Sequence, residues 1–167
     1  MSREIGLLRH GKSDWAAGSE TDHERPLTDR GVEGARLMGR FLREIGRAPD
    51  QVFTSSAVRA RTTAELAVAA GQWDCPVEVT RILYVTEPEQ VFELLRGLDQ
   101  DLHRVLLVGH NPAWEDMLAA LVGGGRFKMP TASLAWIDLS SDGWPKCGPG
   151  AGTLRWLVTP KILEGLS

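Results

Sequence analysis

The sequence predicts an α/β protein: a single three-layer αβα domain over residues 1–167, with a central, mainly parallel sheet. Three observations predict it. Short apolar runs alternate with segments of helical periodicity along the chain. Two of those runs, Ile5-Gly6-Leu7-Leu8 and Arg104 to Val108, read as buried strands. Each ends in a His beside a Gly, Arg9-His10-Gly11 and Gly109-His110-Asn111, and ligands of open α/β sheets collect at the carboxyl ends of strands.

The elements follow in order. After the first strand, Val32, Ala35, Met38, Leu42 and Ile45 recur at three- and four-residue spacing and mark a helix from about residue 28 to 46, capped by Thr28. Gln51 to Thr54 is a second strand. Ser56 is expected to cap a helix that passes through Arg59, Thr63, Leu66 and Ala70 and closes at Gly71. Val77 to Thr80 is a weak strand. Thr86-Glu87-Pro88-Glu89 reads as a capping box, Thr86 and Glu89 satisfying reciprocal backbone donors ahead of a helix through Val91, Leu94, Leu95 and Leu98. Asn111-Pro112 begins a helix through Met117 and Leu121 that ends at Gly123-Gly124-Gly125. Leu134 to Leu139 and Leu154 to Val158 are the last strands, joined through a Gly/Pro-rich loop over residues 143–152.

Composition narrows the function classes. A chain of 167 residues buries about two-thirds of its unfolded surface. A net charge of −3 argues against nucleic acid or an anionic membrane as main partner, so any anion site is a local basic cluster. No apolar run approaches the roughly 20 residues of a membrane span, and the N-terminus (Met1 to Glu4) enters a strand without a signal peptide. Cys75 and Cys147 match no metal or redox spacing and fit a reducing, cytoplasmic setting. No cofactor and no metal is expected.

Four segments carry the chemistry. Arg9-His10 sets a guanidinium beside an imidazole at a strand end, which suits phosphoryl transfer with His as nucleophile. Arg59 opens a helix, where free N–H groups already favour an anion. His110 stands at the second strand end and can converge with His10 on one crevice. Arg25, in Asp22-His23-Glu24-Arg25-Pro26-Leu27-Thr28, is a candidate rim cation. His23 and His103 are expected to be exposed and without a role. Trp15 and Trp114 wall the site or fill the core, Trp136 belongs to the core, and residues 127–133 form a candidate rim loop with Lys128 as a substrate contact.

Together, Leu7-Leu8-Arg9-His10-Gly11-Lys12-Ser13-Asp14-Trp15, Arg25-Pro26-Leu27-Thr28 with Gly31, Ser55-x-x-x-Arg59-Ala60-x-x-Thr63-Ala64 and Gly109-His110-Asn111-Pro112 resemble the histidine phosphatase superfamily, with its phosphoglycerate-mutase-like fold. The short length, Ser13-Asp14-Trp15 and the Arg-Pro-Leu segment resemble its SixA-type phosphohistidine phosphatase branch. The resemblance implies that His10 is the nucleophile and that Arg9, Arg59 and His110 hold the phosphoryl oxygens. Two guanidiniums and a protonated His110 would bring about three positive charges to the equatorial oxygens. It further implies a metal-independent phosphatase whose partner is a phosphorylated protein, such as a phosphotransfer domain, or a small phosphorylated metabolite. A non-catalytic module that binds phosphorylated ligands is the alternative from another class; the retained histidines and arginines disfavour it.

Three departures from larger relatives matter. Ala16 follows the Trp where many have Asn. No strong general acid is evident, leaving Asp14 and Glu87 as candidates. The insertions of phosphoglycerate mutases are missing, which argues against a mutase. An imidazole leaving group is protonated more readily than an alkoxide, so a site without a strong acid suits phosphohistidine.

Overall fold

The computed structural model describes residues 2–140 and 143–166; Met1, on which part of the N-terminal reading rests, lies outside them. Six strands form one sheet: β1 (Arg3–Arg9), β2 (Gln51–Ser55), β3 (Val77–Thr80), β4 (Arg104–Gly109), β5 (Leu134–Leu139) and β6 (Gly152–Val158). Their order is β3-β2-β4-β1-β5-β6. The four strands from β3 to β1 are parallel, while β5 runs antiparallel to both β1 and β6. The expected mainly parallel sheet is therefore present, with an antiparallel edge.

Period-two alternation divides the strand side chains between two cores. Ile5, Leu7, Val105 and Leu107 face α3 (Pro88–Arg96) and α4 (Ala113–Val122). Leu8, Leu106 and Val108 face α1 (Asp29–Glu44) and α2 (Val58–Gly71). Helices thus cover both faces. A fifth helix, α5 (Pro160–Glu164), went unforeseen because five residues carry too little periodicity to register. No helix among the described residues is long and apolar enough to cross a membrane.

Several local readings are corrected. The cap of α2 is Ala57, and Ser55 rather than Ser56 supports this turn by accepting from the Ala57 amide at 3.2 Å. The box at α3 pairs Glu87 with Gln90, one residue later than Thr86 and Glu89, because Pro88 takes the first helical position. Left-handed backbone closes α2 at Gln72 (φ 55°), one residue past Gly71. In α1, Ala35, Met38 and Leu42 are buried as the spacing predicts, but Ile45 stands outside the helix and is 40% exposed. His103 is half-buried and accepts from Arg3 Nη1 at 2.8 Å.

Two close backbone approaches place the first strand end. A Cβ on Gly11 would lie 2.5 Å from the Gly31 carbonyl oxygen, and one on Gly31 would strike the Lys12 carbonyl. Only glycine at both positions lets the start of α1 dock on the turn after His10. Thr63 of α2, fully buried, ties that turn from the other side: its Oγ1 accepts from Gly11 N at 3.0 Å and donates to the Arg59 carbonyl at 2.7 Å.

Candidate active site

The carboxyl ends of β1, β2 and β4 lie side by side, because these strands are parallel and adjacent. Leu8 pairs with Val108 and Arg9 with Gly109, and the His10 amide donates to the Gly109 carbonyl at 3.0 Å. The His10 and His110 rings consequently stand 5.1 Å apart between centroids. A cavity of about 320 Å³ opens over them, with Arg9, Arg25 and Arg59 in its wall. Arg25 and Arg59 are 7% and 6% exposed, so three guanidiniums converge in little water.

The electronic state of each histidine follows from its contacts. His10 Nδ1 lies 2.7 Å from the Gly11 carbonyl oxygen, which can only accept, so Nδ1 carries the ring proton and Nε2 keeps its lone pair. Burial lowers the His10 pKa most; the Gly11 bond opposes it and Arg59, Arg9 and Arg25 add to it, giving about 4. The ring is a free base at neutral pH. His110 Nε2 lies 2.7 Å from Ser55 Oγ. If the Ser55 hydroxyl proton is assigned to that bond, the His110 ring proton sits on Nδ1. Burial first, then His10 and Arg59, bring the His110 pKa to about 3, with Asp22 opposing. The protonated His110 expected from the sequence is thus disfavoured: burial, His10 and the guanidiniums of Arg59 and Arg25 all favour the neutral ring.

A carboxylate that the sequence reading passed over organises the cations. Asp22 binds Arg25 at 2.8 Å and Arg59 at 3.0 Å, accepts from Tyr84 OH at 2.8 Å, and its carbonyl takes a second Arg59 N–H at 2.7 Å. Burial would raise its pKa, but hydrogen bonds from Tyr84, Arg25 and Arg59 outweigh that and pull it to about 2. Asp22 remains ionised. His23 is not a free surface residue either: its Nε2 lies 2.9 Å from Ser56 Oγ and its ring packs edge-on against Tyr84 at 4.7 Å. Tyr84 in turn sits 5.8 Å from the His110 ring. These residues come from a short 3-10 turn (Asp22–Glu24) and from the end of a second one after β3 (Arg81–Leu83), neither of which has a periodic signature.

The loop over residues 126–133 is pinned by Glu115, whose Oε1 accepts from the Met129 amide and Asn111 Nδ2, both at 2.9 Å. The Met129 carbonyl then accepts from Arg9 Nη1 at 2.9 Å, orienting that guanidinium. Lys12, Ser13, Trp15, Asn111 and Thr131 also line the cavity, whereas the expected loop contact, Lys128, does not. Trp15 is 77% exposed and lies over Arg25 at 3.5 Å. Trp114 and Trp136 are core; the Trp114 indole donates to the Leu8 carbonyl at 3.0 Å beneath the site. Neither acid candidate enters the cavity: Asp14 Oδ1 accepts from the Ala16 amide on the adjoining loop, and Glu87 caps α3.

Five polar atoms on cavity residues, Nε of Arg9, Arg25 and Arg59, Nδ1 of His110 and Oδ1 of Asn111, are buried without a hydrogen-bond partner among the described residues. Such groups are costly, and their clustering at one cavity makes it the candidate site. No group of three or more His, Cys, Asp or Glu side chains among the described residues could hold a metal ion. The thiols lie elsewhere, and burial raises Cys147 to about 11.

A model of the histidine phosphatase superfamily, branch 1, matches residues 5–84. An uncharacterized protein of Mycobacterium tuberculosis is 32% identical over 164 residues, covering 92% of this chain and 100% of its own length. The chain belongs to the histidine phosphatase superfamily. Within it, the similarity is to the SixA-type branch. The structure of the protein histidine phosphatase SixA complexed with tungstate matches with a TM-score of 0.83 at 27% identity, covering 96% of this chain and 99% of that one. SixA from Agrobacterium tumefaciens matches with a TM-score of 0.79 at 26% identity, over 96% and 99% of the two chains.

Proposed function

We propose that this histidine phosphatase superfamily member is a metal-independent phosphatase acting on protein phosphohistidine through a phospho-His10 intermediate. The observation that carries the reading is the His10 ring, locked with its proton on Nδ1 and its Nε2 lone pair free beside three arginines. Nε2 attacks phosphorus in line as the bond to the leaving nitrogen breaks. A substrate phosphohistidine that carries a proton on its distal ring nitrogen leaves as neutral imidazole, and His10 becomes a phosphoimidazolium whose Nδ1–H the Gly11 carbonyl stabilises. One phosphoramidate is exchanged for another, so no separate general acid is required. Asp22, held ionised at a pKa of about 2, does not supply one. Water then attacks phosphorus, His10 departs as neutral imidazole, and dihydrogen phosphate leaves with both water protons.

Arg9, Arg25 and Arg59 hold the phosphoryl oxygens in this scheme. His110 joins them through Nδ1 once a bound dianion offsets the surrounding positive charge. A cytoplasmic setting fits a phosphorylated signalling or phosphotransfer protein as substrate. A small phosphorylated metabolite is the second reading, favoured by a cavity of only about 320 Å³. Parallel assays on a phosphohistidine protein, a metabolite panel and an aryl phosphate test these readings. The first predicts a kcat/KM highest on the phosphohistidine protein and a base-stable, acid-labile phosphoenzyme on His10. Comparable turnover by His10→Ala would overturn it, and a preferred metabolite would select the second.

A further inference from the structure

Two smaller clefts adjoin the catalytic cavity and share wall residues with it. On one side it shares Lys12 and Thr131 with a groove of about 200 Å³ between the start of α1 and α5, which also carries Arg30 and Lys161. On the other it shares Trp15, Asp22 and Arg25 with a cleft of about 210 Å³ that carries Asp14 and Glu20. The two wings have opposite charge. Lys12, Arg30 and Lys161 are exposed and form no ion pair among the described residues; Glu164 is the one carboxylate in that groove. On the opposite wing, Arg25 and Asp22 are already engaged with each other, which leaves Asp14 and Glu20 to set its charge.

We infer that the cavity and its two clefts form one trough that binds an extended polypeptide segment flanking the phosphoryl group, with acidic substrate residues on the Lys12–Arg30–Lys161 wing and a basic residue on the Asp14–Glu20 wing. The inference rests on the phosphoprotein reading and specifies which proteins would satisfy it. A small metabolite confined to the middle cavity would leave both wings unoccupied. Trp15 stands where the cavity meets the acidic wing, and an exposed aromatic held by a cation beneath it is a suitable anchor for a peptide backbone. Charges on a rim select partners and speed encounter more than they tighten the final complex, and salt screens them. Three cations that form no ion pair among the described residues, against one carboxylate in the groove, give a local field that departs from the average of a chain with net charge −3.

The test uses synthetic peptides chemically phosphorylated on a central histidine. Two carry a glutamate run on one side and a lysine run on the other, in both orders, and a third has neutral flanks. At low salt, the better bipolar peptide should exceed the neutral one in kcat/KM by roughly tenfold, and 0.5 M salt should erase the difference. Arg30→Glu with Lys161→Glu should abolish the preference and leave aryl phosphate turnover unchanged, since neither side chain lines the catalytic cavity. Glu20→Lys should weaken it from the other wing. Equal turnover of all three peptides by the wild type, or a preference that survives the double variant, overturns the trough while the phosphatase reading stands. Turnover of aryl phosphate with none of the peptides overturns the phosphohistidine reading, and the trough with it.

Discussion

As the proposed nucleophile, His10 must be both uncharged and surrounded by cations, and each condition helps to enforce the other. Burial and the guanidiniums of Arg59, Arg9 and Arg25 hold its pKa at about 4, so the nucleophilic form persists well below the ordinary histidine range. The acid limb of kcat/KM for a substrate that does not itself titrate should therefore fall near pH 4, whereas a limb near 6.5 would mean that the ring is exposed to water during turnover. His10→Ala should abolish turnover while retaining inorganic phosphate binding, which isothermal titration would read directly. Asp22 makes a different contribution: it partners two buried guanidiniums and is itself about half-exposed. Asp22→Ala should lower stability by about 1–2 kcal/mol, less than for a fully buried pair because water reaches the carboxylate. It should also lower kcat/KM, as Arg59 loses the anchor that aims it; an unchanged rate would show that substrate alone positions this arginine. The residues that the sequence disclosed, Arg9, His10, Arg59 and His110, sit at strand ends or a helix start, where local pattern predicts position. Asp22 and Tyr84 were hidden because they meet across a sequence separation of 62 and through loop geometry without a period.

The elements act on the site through a few contacts of backbone against backbone. The start of α1 is seated by Gly31 on the Lys12 carbonyl, and neither side of that contact has a flexible side chain that could yield. Gly31→Ala should cost about 1–3 kcal/mol, as other overpacked positions do, and shift the turn that holds His10. Misplacement of a reacting group by about 1 Å can lower rate by roughly a hundredfold, so the loss of kcat should exceed what the thermal shift suggests. Thr63→Val probes the same turn from α2 with almost no change of volume. It leaves the buried Gly11 N–H without its acceptor at a cost of about 1–3 kcal/mol, measurable by urea denaturation. Wild-type stability in this variant would mean that the turn is held by the α1 contact alone. Sequence pattern located the long elements because apolar spacing records which face is buried. It misplaced the caps of α2 and α3, where the choice among adjacent Ser, Thr and Glu residues depends on a single turn of backbone, and it passed over α5.

On the scale of the whole molecule, the parallel arrangement of β2, β4 and β1 delivers three strand ends to one edge, so the active-site charges accumulate there. That accumulation carries a stability cost that depends on pH. Both histidines are neutral in the folded protein, with pKa values of about 4 and about 3, and return toward 6.5 when the chain unfolds. Between pH 6.5 and 4 the unfolded chain therefore binds protons that the folded one refuses, and stability must fall as the solution is acidified through this window. The effect is opposite in sign to that of a histidine stabilised by a carboxylate partner. From pH 7 to 5.5 the two rings together should lower the unfolding free energy by roughly 2 kcal/mol, and Tm by about 5 °C. Asp22 contributes nothing here, since its pKa of about 2 keeps it ionised throughout. His10→Ala should remove about half of the dependence, because one of the two proton-refusing rings is gone. Saturating inorganic phosphate should reduce it further in the wild type: a dianion among the arginines restores the attraction for a proton at His110, so the folded protein takes up a proton on binding. Calorimetric scans at several pH values, with and without phosphate, read all three effects together. A Tm that stays flat from pH 7 to 5.5 in the phosphate-free protein would mean that the histidines are already charged, and the free-base nucleophile would fall with that result.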